Sequence, residues 1–78
     1  MELTYDPRYN VAYLRFKEPI TGVETIRISD SVNLDLTPDG TLYGIEFLNA
    51  NEQIGNLPEL TLKAVNEASG QTAMLELP

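Results

Sequence analysis

Apolar and polar residues alternate along most of the first fifty positions. In NVAYLRF, residues 10–16, Ala12, Leu14 and Phe16 fall on one side and Val11, Tyr13 and Arg15 on the other. VETIRI repeats the pattern with Ile26 and Ile28, and SVNLDL repeats it with Val32, Leu34 and Leu36. LYGIEFL sets Tyr43, Ile45 and Phe47 together. A period of two is the mark of strands with one buried face. Turn chemistry separates the runs: Asp6-Pro7 after ELTY, then KEPITG, Ser29-Asp30-Ser31 and TPDGT.

Requiring the apolar sets to share a face predicts registers, because a slip of one residue would turn a whole strand over. Leu36 is expected opposite Tyr43, Leu34 opposite Ile45 and Val32 opposite Phe47, around a two-residue Asp39-Gly40 turn. Ile28 is expected opposite Val32, and Leu14 opposite Ile26. Two cross-strand rows then form on the polar face. One holds Tyr13, Arg27, Asn33 and Glu46; the other holds Arg15, Thr25, Asp35 and Gly44.

The tail follows a different pattern. NLPELTLKAVNEASG, residues 56–70, offers Asn56 as N-cap, Pro58 in the first turn and Gly70 as the stop. Leu57, Leu60, Thr61, Ala64, Val65 and Ala68 make a weak apolar stripe at helical spacing. The predicted fold class is α+β, in one domain spanning 1–78. An antiparallel β-meander of four to five strands covers 1–50, a helix over 56–69 packs on one face, and a short edge strand lies at 72–77.

The same turn invites a chemical reading. Asp35, Thr37, Asp39, Gly40, Leu42 and Glu46 fall at positions 1, 3, 5, 6, 8 and 12 of a calcium-binding EF-hand loop. That loop needs helices on both sides, whereas SVNLDL and GIEFL have period two. A hairpin is therefore expected, with no metal.

YDPRYNVAYLRF followed by VNLDLTPDGTLYGIEFLNA resembles a family of short prokaryotic proteins termed a domain of unknown function (DUF). The matching residues are Tyr5, Asp6, Pro7, Tyr13, Asp35, Gly40, Gly44, Ile45, Glu46, Leu48 and Ala50. The likeness runs from about Leu3 to Ile54. Asn10 stands where the family often has aspartate, and Asn51 where it often has serine. The resemblance implies a compact β-rich fold and, for some members, a place in toxin–antitoxin gene pairs.

Composition narrows the chemistry. The chain of 78 residues has no cysteine and no histidine, which removes thiol nucleophiles, imidazole bases and thiolate zinc. A formal charge of −7 repels phosphate backbones, so neither nucleic acid nor an anionic membrane is expected as a direct partner. A basic protein partner fits better. MELTYDPRYN shows no signal-peptide pattern, so the expected place is cytoplasmic, and no cofactor is expected. Tyr13, Arg15, Arg27, Asp35 and Glu46 form the candidate binding surface on the polar sheet face. The first reading is a non-enzymatic interaction module, an antitoxin-like member of a two-gene pair. The second is a ligand-binding protein or carboxylate-based enzyme built on Arg15, Asp35 and Glu46. One helix is too narrow for a five-stranded sheet, so a homodimer is expected to bury the remainder.

Overall fold

The structure, a computed structural model, describes residues 1–55, 57 and 61–76. Five strands form one antiparallel sheet: β1 (Glu2–Asp6), β2 (Val11–Arg15), β3 (Glu24–Arg27), β4 (Val32–Leu36) and β5 (Leu42–Leu48). A short helix α1 (Ala50–Ile54) follows, and a separate two-stranded hairpin is made by β6 (Thr61–Val65) and β7 (Thr72–Glu76).

The strand order is β1-β2-β5-β4-β3, which corrects the expected meander. Strand β5 lies between β2 and β4, with β3 moved to the far edge, so Leu14 pairs with Ile45 and not with Ile26. The connection from β2 to β3 runs over residues 16–23, longer than the two to five residues usual in a tight hairpin. That length lets β5 enter, and the amide of Phe16 continues the ladder to the Tyr43 carbonyl at 2.9 Å.

The β3–β4 register holds as expected: Ile26 pairs with Leu34, and the Ile28 amide donates to the Val32 carbonyl at 2.9 Å. In β4–β5, Leu34 pairs with Ile45 and Val32 with Phe47. The expected Leu36–Tyr43 pair is replaced by Leu36–Leu42, because Tyr43 is an extra, bulged residue beyond the Asp35–Gly44 pair. The two-residue turn is likewise a longer one. Gly40 N donates to the Thr37 carbonyl at 2.9 Å and Thr37 N to the Thr41 carbonyl at 2.8 Å, leaving Pro38-Asp39-Gly40 as the loop. Proline presets the first turn dihedral, and Gly40 takes the left-handed conformation at φ 87° that closes such a loop. The Asp39 carboxylate accepts from the Thr37 and Thr41 hydroxyls, which hold its pKa below the usual carboxylate value. Asp35 and Glu46 thus stand on strands flanking a hairpin.

The expected C-terminal helix over 56–69 is also corrected. Its proposed cap Asn56 and Pro58 lie outside the described residues, but residues 61–65 are strand β6, paired with β7 from Thr61–Glu76 to Val65–Thr72. The Asn66 side chain accepts from the amides of Ala68 and Ser69, and Gly70, at φ 75°, supplies the turn's left-handed residue. Local side-chain bonds of this kind compete with helix formation. The expected strand at 72–77 is present as β7, joined to β6 and not to the main sheet.

The core sits under one half of the apolar face. Leu3, Ala12, Ala50 and Leu57 are buried together, with Tyr5, Leu14, Phe47 and Ile54 packed around them. These residues belong to β1, β2, β5 and the segment at α1. The β3–β4 half of the same face is open: Ile26 is 40% exposed and Ile28 57% exposed.

Candidate functional site

The polar face gathers the predicted residues into the two expected rows, reordered by the insertion of β5. One row reads Tyr13, Glu46, Asn33, Arg27, and the other reads Arg15, Gly44, Asp35, Thr25. Membership survives because each side chain's face and height along the strands are the same in either strand order.

The centre of the face is a hydrogen-bonded plate. Tyr13 Oη donates to Asp35 Oδ2 at 2.6 Å, reaching from β2 across β5 to β4. Thr25 Oγ1 donates to Asp35 Oδ1, also at 2.6 Å. Both are hydroxyl-to-carboxylate bonds, the short and strong kind. Gly44 lies beneath the Tyr13 ring: a Cβ built there would stand 2.6 Å from Tyr13 Cζ and 2.9 Å from Cε2, and nearer still to Oη. Beside this, Asn33 Nδ2 donates to Glu46 Oε1 at 2.9 Å.

The two arginines are drawn to the rims. Arg15 meets Glu2 on the β1 edge at 3.4 Å, and Arg27 pairs with Asp30 in the β3–β4 turn. Asp35 and Glu46 are therefore satisfied by neutral donors, and each Asp35 oxygen already accepts a hydroxyl. Each oxygen keeps a further lone pair, and the two hydroxyls fix the orientation of the carboxylate.

Burial raises the Tyr13 phenol above the ordinary tyrosine value, and the bond to Asp35 adds to it, followed by the charges of Asp35, Tyr43 and Glu46. Below about pH 10 the folded and unfolded chains both hold this proton. Above it the unfolded chain releases a proton that the folded chain keeps, so stability falls as pH rises, by at most about 1.4 kcal/mol per pH unit. In an ultraviolet titration at about pH 11, Tyr13 is expected to remain protonated while the chain is folded. Tyr13→Phe should remove that lagging component. An unchanged curve in the variant would refute the burial of this phenol.

A second cluster went unnoticed in the sequence. Asn10, in the left-handed region at φ 56°, ties the β1–β2 turn to α1. Its carbonyl accepts from Ala50 N at 2.9 Å, its Oδ1 accepts from Asn51 N at 3.0 Å, and its Nδ2 donates to Asn51 Oδ1 at 2.6 Å. The two asparagines, 41 residues apart in the sequence, touch each other. Tyr5 Oη also donates to Asn10 Oδ1, at 3.2 Å.

Fold and face together define a small antiparallel β-sheet protein with a hydrogen-bonded polar plate and a half-covered apolar face. The family model described as "Protein of unknown function (DUF2283)" matches residues 2–51, which is 50 of the 78 residues, and the chain belongs to that family. The match spans β1–β5 and the start of α1; the β6–β7 hairpin lies beyond it. Neither a curated protein nor a solved structure matches the chain. No helix among the described residues is long and apolar enough to cross a membrane.

Proposed function

We propose that the protein is a non-enzymatic protein-interaction module, acting in the cytoplasm of a prokaryotic cell. The observation that carries this reading is the open β3–β4 half of the apolar face. There Ile26 and Ile28 are exposed, and Val32, Leu34 and Leu36 are only half-buried. A contiguous apolar patch left open on a folded domain marks a surface for another protein. The formal charge of −7 favours basic proteins among heterologous partners, as suits the neutralising member of a two-gene pair. The enzyme reading finds less support, because the arginines are drawn away from Asp35 and Glu46 to other carboxylates.

The test is site-specific photo-crosslinking in the native host. A photoreactive residue at position 28 is expected to yield a covalent protein adduct, either a small basic protein or a second copy of the chain. The same residue at exposed position 4, on the opposite face, should yield none. Equal yields from the two positions, or none from either, would remove the reading.

A further inference from the structure

Strand β3 ends the sheet, and every one of its residues is exposed. The direction of its backbone groups follows from its neighbour. The Ile28 amide donates to the Val32 carbonyl, and hydrogen-bonded positions alternate along an antiparallel pair. Glu24 and Ile26 therefore turn their amides and carbonyls to β4, whereas Thr25 and Arg27 turn theirs outward. The bond from Leu48 N to the Ser31 carbonyl fixes the same alternation from the β5 side of β4. Among the described residues, no backbone group bonds the outward groups of Thr25 and Arg27. An edge with such a row of free donors and acceptors is a template for another strand.

We infer that β3 pairs with β3 of a second copy, antiparallel about a two-fold axis centred on Ile26. With that axis normal to the sheet, like faces stay on the same side, and the pairing must centre on one residue. Centred on Ile26, each Thr25 stands opposite Arg27 of the other copy. Both pairs exchange an amide and a carbonyl in each direction, so every outward group of the two strands is used. Centred on Thr25, Arg27 would face Val23, which precedes the strand. Centred on Arg27, two guanidinium groups would be opposed, and directly opposed like charges destabilise a sheet. The β1 edge is less suited on the same ground. Centred on its middle residue Thr4, it would set Glu2 opposite Asp6 of the other copy.

Side chains on both faces fit this register. On the apolar face the two Ile26 side chains meet at the axis, at a non-hydrogen-bonded position where side chains stand closest. Ile28 falls opposite the exposed Glu24 of the other copy, at the margin of the contact, and stays open. On the polar face, the row of Arg15, Gly44, Asp35 and Thr25 runs on into Arg27 of the second copy. Among the described residues Asp35 has no cation of its own; its oxygens accept the Tyr13 and Thr25 hydroxyls. Arg27 of the second copy supplies one. It would cross two strand spacings, about 10 Å, the same span that Tyr13 bridges from β2 to β4. Within its own chain Arg27 meets Asp30, but both side chains are exposed and such a pair holds the guanidinium weakly. The two open half-faces then lie side by side on one continuous sheet, so a single apolar partner can span both. Two short strands bury less than the ~1,200 Å² of a stable interface, so the dimer is a transient one.

Sedimentation equilibrium and amide exchange of the full-length chain test the pairing. The expected result is a monomer mass at about 10 µM that moves toward the dimer by about 1 mM, as suits a small interface. Over the same range the amides of Thr25 and Arg27 should slow together, by roughly the fraction of chain paired, while those of β1 stay as they were. Arg27→Pro removes one outward donor at a place where an edge strand tolerates proline. Arg27→Ala removes only the cation. Proline should weaken the dimer about ten-fold and alanine about three-fold, with the low-concentration urea midpoints little changed. A monomer mass throughout would overturn the inference. So would a dimer in which Thr25 and Arg27 exchange as in the monomer, or one indifferent to Arg27→Pro. Association unchanged in Arg27→Ala would overturn the contact with Asp35. The exchange result needs no variant, so it decides the pairing even where proline unfolds the chain. Failure here leaves the interaction module standing, because a position-28 adduct to a different protein needs only one half-face.

Discussion

Gly44→Ala is expected to destabilise the protein by about 2–3 kcal/mol, a large effect for one methyl group. Gly44 is not among the glycines with positive φ, so its backbone is one that any residue can adopt. What the glycine supplies is space. The Tyr13 ring crosses β5 at that point, and an added Cβ would fall within contact-forbidden range of Cζ and Cε2. The ring must then swing out, and its 2.6 Å bond to Asp35 goes with it. A hydrogen bond to a charged group contributes about 1.5–3 kcal/mol, and the stranded carboxylate adds to the loss. Against that, replacing glycine in a strand recovers about 0.5–1 kcal/mol of chain entropy.

The two contributions separate in a double-mutant cycle. With Tyr13→Ala already present, Gly44→Ala should cost nothing or stabilise slightly, because no ring remains to be displaced. Denaturant melts of the four proteins measure the coupling. An equal cost in both backgrounds would show that the glycine serves the neighbouring bulge and not the ring. The sequence places Gly44 in the row of Arg15, Thr25 and Asp35, and a glycine within a strand signals either a bulge or a close approach. Here both meet: the bulge lies at Tyr43, and the close approach is the ring above Gly44.

Local pairing was legible and non-local pairing was not. Ile26, Leu34 and Ile45 declared their shared face through parity, and parity settles register wherever two strands are joined by a short turn. It does not settle which strands are neighbours. Leu14 can face Ile26 or Ile45 with the same parity, so the choice fell to the length of the β2–β3 connection. The site inherited this split. Tyr13, Asp35 and Glu46 were placed at the right heights, yet the bond from Tyr13 to Asp35 needs β5 between their strands. The partners of Arg15 and Arg27 depended on flexible side chains choosing rim carboxylates, which no pattern encodes. In the tail, Leu57, Thr61, Ala64 and Ala68 mimicked a helical stripe. The alternation of TLKAV and TAMLE was the weaker signal, and it won because Asn66 and Gly70 build a turn between them.

Leu57→Ala is expected to cost about 2–4 kcal/mol, in the range found for buried leucines cut back to alanine. Leu57 is 4% exposed and packs with Leu3, Ala12 and Ala50. Tyr5, Leu14, Phe47 and Ile54 pack around that cluster, and truncation leaves a cavity that they fill only in part. It is also the only buried side chain beyond Ala50 among the described residues, and so ties the connection to the hairpin onto the core. A chain of 78 residues has roughly 4–12 kcal/mol of stability in all, so this one residue holds a large fraction of it. Leu62→Ala is the contrast, since Leu62 is 39% exposed and should lose under about 1 kcal/mol within its own chain. Urea melts of both variants at one low protein concentration, where any dimer is dissociated, compare the intrachain terms alone. A Leu57→Ala loss no larger than that of Leu62→Ala would mean that the core closes without the segment after α1.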